Sequence, residues 1–348
     1  MISYRLTLVP ITPIHIGTGE EIEPLEYTIA EHMLHRHDLG KLIESLSPRH
    51  YGELWALIDK NDLPALRAFV QKVATEESCL YHGPVSAEFE SLVARGLRVG
   101  QASLRVALAA RTALDFKPYI PGSSLKGALR TGYLYALAQA RGGLPKDSRR
   151  VEPELLGYRS RSGRGFVAQE DPFRVLKISD SQPSNEPNRF CRVAHFNLGG
   201  SGQFAQIGLC ETTPSLATGD DVRFDFDAAI LDEKAIRRHF GKRWFDLAEV
   251  AQACERFYGE VFRQELNYWK EHGQTEIHRC LLESFEKASK MANSLPGQTT
   301  YLRLGWGTGR QGMTIDWTKP APKTRRVAED KWPMGWALLA IERAEKAG

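Results

Sequence analysis

Apolar and polar positions alternate at the start of the chain. Tyr4, Leu6 and Leu8 are separated by single polar residues and followed shortly by Pro10. A period of two directs one set of side chains to a buried face and the other set to solvent. The pattern predicts a half-buried strand that ends at Pro10.

The same kind of pattern predicts further strands. They cover residues 25–30 and 33–36 (a short hairpin), 173–180, 190–198, 205–212 and 222–228. The arms 190–198 and 205–212 flank Gly199-Gly200-Ser201-Gly202, which predicts a long hairpin with a polar tip.

Capping residues indicate helices between these strands. Asp38 is placed to cap a helix that runs through Leu46, and Asp62 one that spans residues 63–73, because a side-chain carboxylate accepts from the first free amides. These short helices predict an inserted helical lobe over residues 38–110.

A longer helix is predicted after Pro121-Gly122. Ser123 or Ser124 is placed to cap it, and its apolar stripe consists of Leu125, Leu129, Tyr133 and Leu137. A second helical region extends from about residue 232 to residue 292. Strands and helices in this order predict an α+β fold, with an antiparallel sheet and helices on one face.

Composition and charge are those of an ordinary globular protein. The chain has 348 residues, 42% of them hydrophobic and 26% charged, with a formal net charge of +3. No apolar run is long enough to span a bilayer, and no signal segment precedes the first strand. Five widely spaced cysteines without a CxxC pair favour reduced thiols in a cytoplasm over disulfides or a zinc framework. We therefore expect a cytoplasmic protein that does not contact a membrane.

Positive charge concentrates in two loop regions rich in Gly, Pro and Ser. One covers residues 141–177 and the other residues 303–331. Two such regions, distant in sequence, can form one groove for a polyanion. The alternative is that they are unrelated solubilising loops.

A glycine-rich loop follows a predicted strand near the end of the chain. Four glycines lie between Gly305 and Gly312, and Arg303 and Arg310 flank them. Bare backbone amides next to guanidinium groups favour a phosphate chain as ligand. The substring also matches the GxGxxG dinucleotide fingerprint, but the prolines that follow leave no room for a doubly wound sheet. A plain tight turn is the other alternative.

The start of the helix near Ser123 predicts a second anion site. Unpaired amides and the positive end of the helix dipole lie there, and Lys126 and Arg130 are one turn apart. An ordinary capped helix with two solvated cations has about equal weight on these residues alone.

Candidate catalytic groups lack partners in the sequence. His15 lies in a glycine-punctuated turn and Asp180 at a strand end, and either could move a proton if it faced a 2′-hydroxyl. The run His32-x-x-His35-x-His37 has neither metalloprotease nor zinc-finger spacing, so an exposed polar turn is favoured over a metal site. We predict no catalytic residue, no metal and no cofactor.

Three motifs together resemble one family. They are Pro121-Gly122-Ser123-Ser124-Leu125-Lys126-Gly127-Ala128-Leu129-Arg130-Thr131, Asp171-Pro172-Phe173-Arg174-Val175-Leu176-Lys177-Ile178-Ser179-Asp180-Ser181, and Leu304-Gly305-Trp306-Gly307-Thr308-Gly309. The segment from Leu8 to Gly19 adds to them. The set is similar to the RAMP superfamily of CRISPR effector proteins, and most specifically to the fifth Csm subunit family of type III-A complexes. The resemblance extends from residue 6 to about residue 341.

The resemblance implies ferredoxin-like (RRM-like) RAMP cores and a non-catalytic, crRNA-binding subunit. Such a subunit caps the backbone filament at the 3′ part of the crRNA and supports crRNA maturation and antiviral defence. The implied alternative is a metal-dependent RAMP endoribonuclease acting on crRNA or target RNA. The hairpin 183–212 is then the candidate thumb, with Phe190, Phe196 or Phe204 as base-stacking side chains; core packing is favoured for any single one of them.

These inferences give a domain plan and a set of RNA contacts. Residues 1–37 and 111–230 form the N-terminal RAMP domain, 38–110 the helical lobe, and 231–348 the helical and glycine-loop region that completes the fold. The predicted RNA-binding residues are His15, Gly17, Ser123, Ser124, Lys126, Arg130, Arg174, Arg303, Gly307, Thr308, Gly309 and Arg310.

The expected partners are nucleic acid and other subunits of the complex. They are the crRNA and target RNA, the repeating Csm backbone subunit, and, as further candidates, the small subunit and a host trimming nuclease.

Overall fold

A five-stranded antiparallel sheet forms the centre of the fold in the computed structural model, which describes residues 1–98, 104–143, 151–156, 171–197, 204–231, 246–309 and 324–344. The strands are β1 Ile2–Pro10, β2 Gly17–Ile22, β3 Tyr27–Ala30, β4 Met33–His37, β5 Cys79–Pro84, β6 Val106–Ala109, β7 Leu176–Ile178, β8 Arg189–Asn197, β9 Phe204–Thr212, β10 Phe224–Ile230, β11 Gln298–Arg303, β12 Thr324–Ala328, β13 Trp332–Pro333 and β14 Trp336–Arg343. The helices are α1 Leu39–Glu44, α2 Pro48–Asp59, α3 Leu63–Val73, α4 Ala87–Arg98, α5 Gly122–Ala140, α6 Val151–Leu156, α7 Leu247–Glu271 and α8 Thr275–Ala292.

The central sheet confirms the predicted α+β class. Its order is β11-β14-β1-β10-β7, and Leu6 of β1 lies between Phe226 of β10 and Ile341 of β14. Tyr4, Leu6 and Leu8 are buried as their alternation predicted. In chain order, β1, α5, β7, β10, α7 and β14 give the βαββαβ pattern of a ferredoxin-like core, and β11 is an added edge strand.

Helices α5 and α7 pack against each other within the same hydrophobic core. The hydroxyl group of Tyr258 donates to the carbonyl oxygen of Ala128 at 3.0 Å. Gly132 allows this close approach, because a Cβ atom there would lie 2.6 Å from Cys254 Sγ. Trp336 of β14 is fully buried under α7 and α8. None of the described helices has both the length and the apolar character that a membrane crossing requires.

A second sheet carries the predicted hairpin. Its order is β13-β12-β8-β9-β6-β2, and β8 and β9 are the antiparallel arms; the tip, residues 198–203, lies outside the described residues. Phe190 and Phe196 are fully buried, and Phe204 packs on Phe196 with ring centroids 5.2 Å apart. Core packing, the favoured alternative to base stacking, therefore accounts for Phe190 and Phe196.

The helical lobe is smaller than its predicted span. Asp38 and Asp62 cap α1 and α3 as expected, accepting from the amides of Lys41 and Ala65. Within residues 38–110, however, β5 joins β3 and β4 in a third sheet, and β6 joins β2 and β9 in the second. Both strands are short and pair with partners remote in sequence, so local pattern did not reveal them.

A buried carboxyl group connects α4 to the second sheet. Glu329 Oε1 accepts hydrogen bonds from Ser86 Oγ at 2.8 Å and from the amide of Arg192 at 2.5 Å. Its Oε2 is buried without a partner among the described residues. Loss of water on burial raises the pKa of Glu329 from 4.5 to about 7.

Glu329→Gln is expected to make the free energy of unfolding depend less on pH. The folded protein holds the Glu329 proton more tightly than the unfolded chain, so this group stabilises the fold below about pH 4.5 and loses its contribution as pH rises through about 7. Urea unfolding at about pH 5 and about pH 8 measures the difference. The exposed Glu44→Gln serves as control, and an identical pH dependence in wild type and Glu329→Gln would contradict the raised pKa.

Candidate functional site

Three segments of the chain meet around an open groove of about 920 Å³. They are the segment 15–21, which leads from β1 into β2, the glycine loop 304–309 with Arg303 at the end of β11, and the side of α5 that carries Ser124, Gly127 and Thr131. His195 of β8 and Arg326 of β12 also line it. The two segments predicted to bind RNA, the start of α5 and the glycine loop, therefore face the same groove.

The glycine loop is a tight turn docked on the backbone of its neighbours. Gly305, Gly307 and Gly309 all have positive φ, at 72°, 92° and 66°. The amide of Trp306 donates to the carbonyl oxygen of His15 at 2.8 Å. The amides of Gly307 and Gly309 have no hydrogen-bond partner among the described residues. The loop is therefore a tight turn, and it also presents backbone amides without partners among the described residues.

The sheet around this loop does not have the topology of a dinucleotide site. β11 runs into the loop from an antiparallel sheet, and β12 and β14, which follow it among the described residues, pair antiparallel with β8 and with β11. A Rossmann fingerprint lies between two parallel strands of one sheet. Arg310 and Gly312 lie outside the described residues.

His15 forms part of the groove wall as a neutral imidazole. Its Nδ1 lies 2.6 Å from the carbonyl oxygen of Glu211; because a carbonyl only accepts, Nδ1 carries the proton and Nε2 is an acceptor. Burial lowers the pKa of His15. Nε2 has no partner among the described residues, and a Cβ atom at Gly17 would lie 2.8 Å from it.

Trp306 lies between the imidazole of His15 and the guanidinium of Arg326 at the groove. Its ring lies 4.2 Å from the His15 ring, and the Arg326 guanidinium carbon lies 4.6 Å from its centroid. Arg326 is directly opposite His195 on β12 and β8, and burial lowers the pKa of both. Neither Arg326 nor His195 was among the predicted RNA-binding residues. In the sequence, Arg326 is marked only by its place in the basic region 303–331, and His195 by its place in the hairpin arm 190–198.

The start of α5 differs from its prediction. The helix begins at Gly122 with Pro121 as its N-cap, and neither Ser123 nor Ser124 caps it. The amide of Gly122 instead donates to Asp180 Oδ1 at 2.9 Å. An acidic side chain 58 positions away thus occupies the predicted anion site. Ser124 lines the groove, and Ser123 is exposed beside it.

Lys126 and Arg130 are not among the residues that line the groove. At about 100° per residue, they lie roughly 90–130° around α5 from the mean direction of Ser124, Gly127 and Thr131. Lys126 Nζ donates to the carbonyl oxygen of Leu176 at 2.7 Å. Arg130 forms ion pairs with Asp171 at 2.6 Å and Glu152 at 2.8 Å. Both cations are thus engaged with protein groups, and their contact with RNA stays a prediction.

The guanidinium group of Arg303 is buried behind the glycine loop. Its Nη1 and Nη2 donate to the Glu265 carboxylate at 2.5 and 3.1 Å, and its Nε donates to the carbonyl oxygen of Met334. Arg303 and Glu265 are only 4% and 2% exposed. Arg303 thus borders the groove as a core residue whose guanidinium is engaged with Glu265 and Met334, which corrects its predicted role as a phosphate ligand. Arg174 is exposed on the turn before β7, outside the groove.

The candidate catalytic and metal residues are separated in space. Asp180 caps α5, as described, and is not among the residues that line the groove. His32 pairs with Glu90 at 2.8 Å, and His37 is buried between Thr28 and Ser78. His32 is exposed, as predicted for this turn. His37 is buried, so the prediction of an exposed residue is wrong at that position.

The chain matches a known family over most of its length. A family model described as the RAMP superfamily matches residues 7–311. Two curated proteins named "CRISPR system Cms protein Csm5" are similar to the chain. The Streptococcus thermophilus protein is 25% identical over 194 residues, which are 52% of this chain and 52% of that protein. The Methanocaldococcus jannaschii protein is 24% identical over 326 residues, 88% of this chain and 71% of that protein.

Two solved structures have the same fold. One is a chain of a cryo-EM structure of a Csm–crRNA–target RNA ternary complex of a type III-A CRISPR-Cas system, with a TM-score of 0.68, 22% identity, and coverage of 97% of this chain and 100% of that chain. The other is the crystal structure of T. onnurineus Csm5, with a TM-score of 0.65, 20% identity, and coverage of 95% and 99%. The alignment with the Streptococcus relative spans only about half of that protein. The resemblance to the fifth Csm subunit family is confirmed by the names of both curated relatives.

Proposed function

This chain belongs to the RAMP superfamily, and from that premise we propose that it is a structural, crRNA-binding subunit of a type III-A CRISPR complex. In this role it caps the filament of repeating Csm backbone subunits and holds the 3′ part of the crRNA. The groove supports the proposal, because the glycine loop, the segment 15–21 and α5 line it together. The groove lies next to the exposed backbone of the glycine loop, which suits a ribose-phosphate chain better than a compact metabolite.

The chemistry of the groove supports binding without sequence selection. Arg326 and His195 supply cationic or donor groups, and the loop amides of Gly307 and Gly309 supply neutral donors. Donors of this kind contact phosphates and fix the register of a strand without reading its bases. Trp306, partly exposed between His15 and Arg326, offers an aromatic surface on which a base can stack.

Gly127 provides the sharpest test of the groove. It is exposed on α5, lines the groove, and a Cβ atom there would meet nothing within 4 Å. Gly127→Glu is expected to weaken binding of single-stranded RNA about tenfold, the ratio that about 1.4 kcal/mol of repulsion gives, and Gly127→Arg to strengthen it similarly. Arginine should also steepen the log–log salt dependence by about 0.7 for the added phosphate contact. Fluorescence anisotropy with labelled RNA of mixed sequence measures both.

Gly52→Glu is the matched control for these variants. Gly52 is also exposed in a helix, α2, with open space around its Cα, but lies outside the groove. Either substitution in a helix improves helix propensity by roughly 0.5–1 kcal/mol, so folding is preserved. Equal effects of Gly127→Glu and Gly52→Glu, or no difference between Gly127→Glu and Gly127→Arg, would show that RNA does not occupy the groove.

We propose further that the subunit does not cleave RNA. Asp180, the acid that could act on a 2′-hydroxyl, is held by the amide of Gly122. The same purified protein is expected to leave RNA intact in the presence of Mg²⁺ or Mn²⁺. RNA cleavage that disappears in Asp180→Ala or His15→Ala would instead support the endoribonuclease alternative.

A further inference from the structure

A cluster of two imidazoles and one thiol lies on the third sheet, outside the groove. His35 of β4 and Cys79 and His82 of β5 have ligand atoms that all lie within 4.8 Å of one another. His35 and Cys79 are partly buried and His82 is exposed. None of these side chains takes part in the groove, and His35 Nδ1 and Cys79 Sγ are 3.9 Å apart.

The strand register explains how the three side chains come together. His35 and His82 are directly opposite on β4 and β5, so their side chains share one face of the sheet. Further along, Arg36 pairs with Tyr81 but His37 pairs with Cys79, which leaves Leu80 as an extra residue. Such a bulge turns the following side chain to the opposite face. Cys79 therefore joins the two histidines, whereas a regular ladder would direct it to the other face.

We propose that His35, Cys79 and His82 bind a divalent transition-metal ion, Zn²⁺ in particular. Imidazole nitrogen and thiolate sulfur are the donors that Zn²⁺ prefers, at about 2.0–2.1 and 2.3 Å. Tetrahedral geometry then requires an N···S separation of about 3.6 Å, close to the observed 3.9 Å. The pairs that involve His82 lie within 4.8 Å, and rotation of its exposed side chain would bring it to the ion.

The protonation of the cluster is compatible with a metal. Burial lowers the pKa of His35, and the neighbouring His82 lowers it further, so its ring is neutral and able to coordinate. Cys79 is a thiol that donates to the carbonyl oxygen of Tyr81; burial raises its pKa, which opposes thiolate formation, so the metal must displace this proton. Coordination forms the Zn–S bond and releases the thiol proton to water. Glu76 and Glu31 are close enough to act electrostatically on His35 and favour positive charge there.

The site is placed where the chain enters and leaves the helical lobe. β4 leads through Asp38 directly into α1, and the chain returns from α3 through the turn 76–78 into Cys79. One ion bound to both strands would fasten the base of the lobe. The proposed zinc site is thus structural, and its fourth coordination position is open to water or a carboxylate.

Metal titration of the reduced, untagged full-length protein tests this inference. We expect one equivalent of Zn²⁺ by elemental analysis after gel filtration, and a thiolate-to-metal charge-transfer band with Co²⁺. Cys79→Ser and His82→Asn should each lower Zn²⁺ affinity at least about tenfold, as loss of a ligand does, and Cys79→Ser should abolish the band. Excess Zn²⁺ should raise the Tm of the wild type but not that of these variants.

Two control variants separate this site from incidental binding. Cys280→Ser removes another partly exposed thiol, on α8, and His32→Asn removes a histidine that is 84% exposed on the same hairpin. Both should bind Zn²⁺ like the wild type. Equal loss in all four variants, undiminished binding in both Cys79→Ser and His82→Asn, or no bound metal in the wild type would overturn the proposal. If Cys79→Ser misfolds by circular dichroism, the exposed His82→Asn decides alone.

Discussion

The Arg303→Ala variant is expected to unfold with a free energy about 3–5 kcal/mol lower than that of the wild type. Arg303 and Glu265 form a bidentate pair in the core, and Trp336 Nε1 also donates to Glu265 at 3.0 Å. Removal of the guanidinium leaves a buried carboxylate with one remaining side-chain donor. Urea unfolding followed by tryptophan fluorescence and circular dichroism measures the loss.

Two companion variants show whether burial of charge is the cause. Arg279 pairs with Glu283 on the exposed surface of α8, so Arg279→Ala should not change stability measurably. The double variant Arg303→Met/Glu265→Met should be more stable than Arg303→Met alone, because no unpaired charge then remains in the core. If Arg303→Ala instead weakens RNA binding while stability is unchanged, Arg303 faces the groove in solution and the buried pair is wrong.

The Gly305→Ala variant is expected to lose about 2–5 kcal/mol of stability and most of its RNA binding. Gly305 has a φ of 72°, and a methyl group there would overlap the carbonyl oxygen of His15. The same carbonyl accepts the amide of Trp306, so the loop cannot stay docked while the methyl group is accommodated. Unfolding curves and RNA anisotropy on the same preparation give both quantities.

Gly273→Ala isolates the part of this loss that comes from backbone conformation. Gly273 has a φ of 67° between α7 and α8, and a Cβ atom there would meet nothing within 4 Å. Only the left-handed strain of roughly 1–2 kcal/mol should appear, with RNA binding intact. A Gly305→Ala protein no less stable than Gly273→Ala would show that the loop does not rest on His15.

Features with a local cause could be predicted from the sequence. The alternation of Tyr4, Leu6 and Leu8 is enough to define β1. Asp38 and Asp62 each cap a helix by accepting a hydrogen bond from the amide three residues later. The glycine loop, indicated by its glycines, lines the groove. In each case the physical requirement, such as a period, a cap or a positive φ, acts within a few residues.

The destinations of the charged side chains could not be predicted in the same way. Arg303 is paired 38 residues away with Glu265, and Arg130 pairs 41 residues away with Asp171. A basic residue next to a glycine loop looks the same in sequence whether it faces solvent or a buried carboxylate. Only the packing of α7 against β11 and β14 decides this for Arg303, and sequence pattern contains no measure of it.

Two of the motifs that carry the family resemblance are fastened to each other. Asp180 holds the amide of Gly122, Asp171 holds Arg130, and the carbonyl oxygen of Leu176 holds Lys126. These motif residues thus fasten α5 to the segment that contains β7. A homologue could keep all of these residues and no longer bind nucleic acid. A match to these motifs therefore indicates common ancestry and a preserved fold. Groove residues such as Gly127 and Arg326 have to be compared separately to infer that RNA binding is retained.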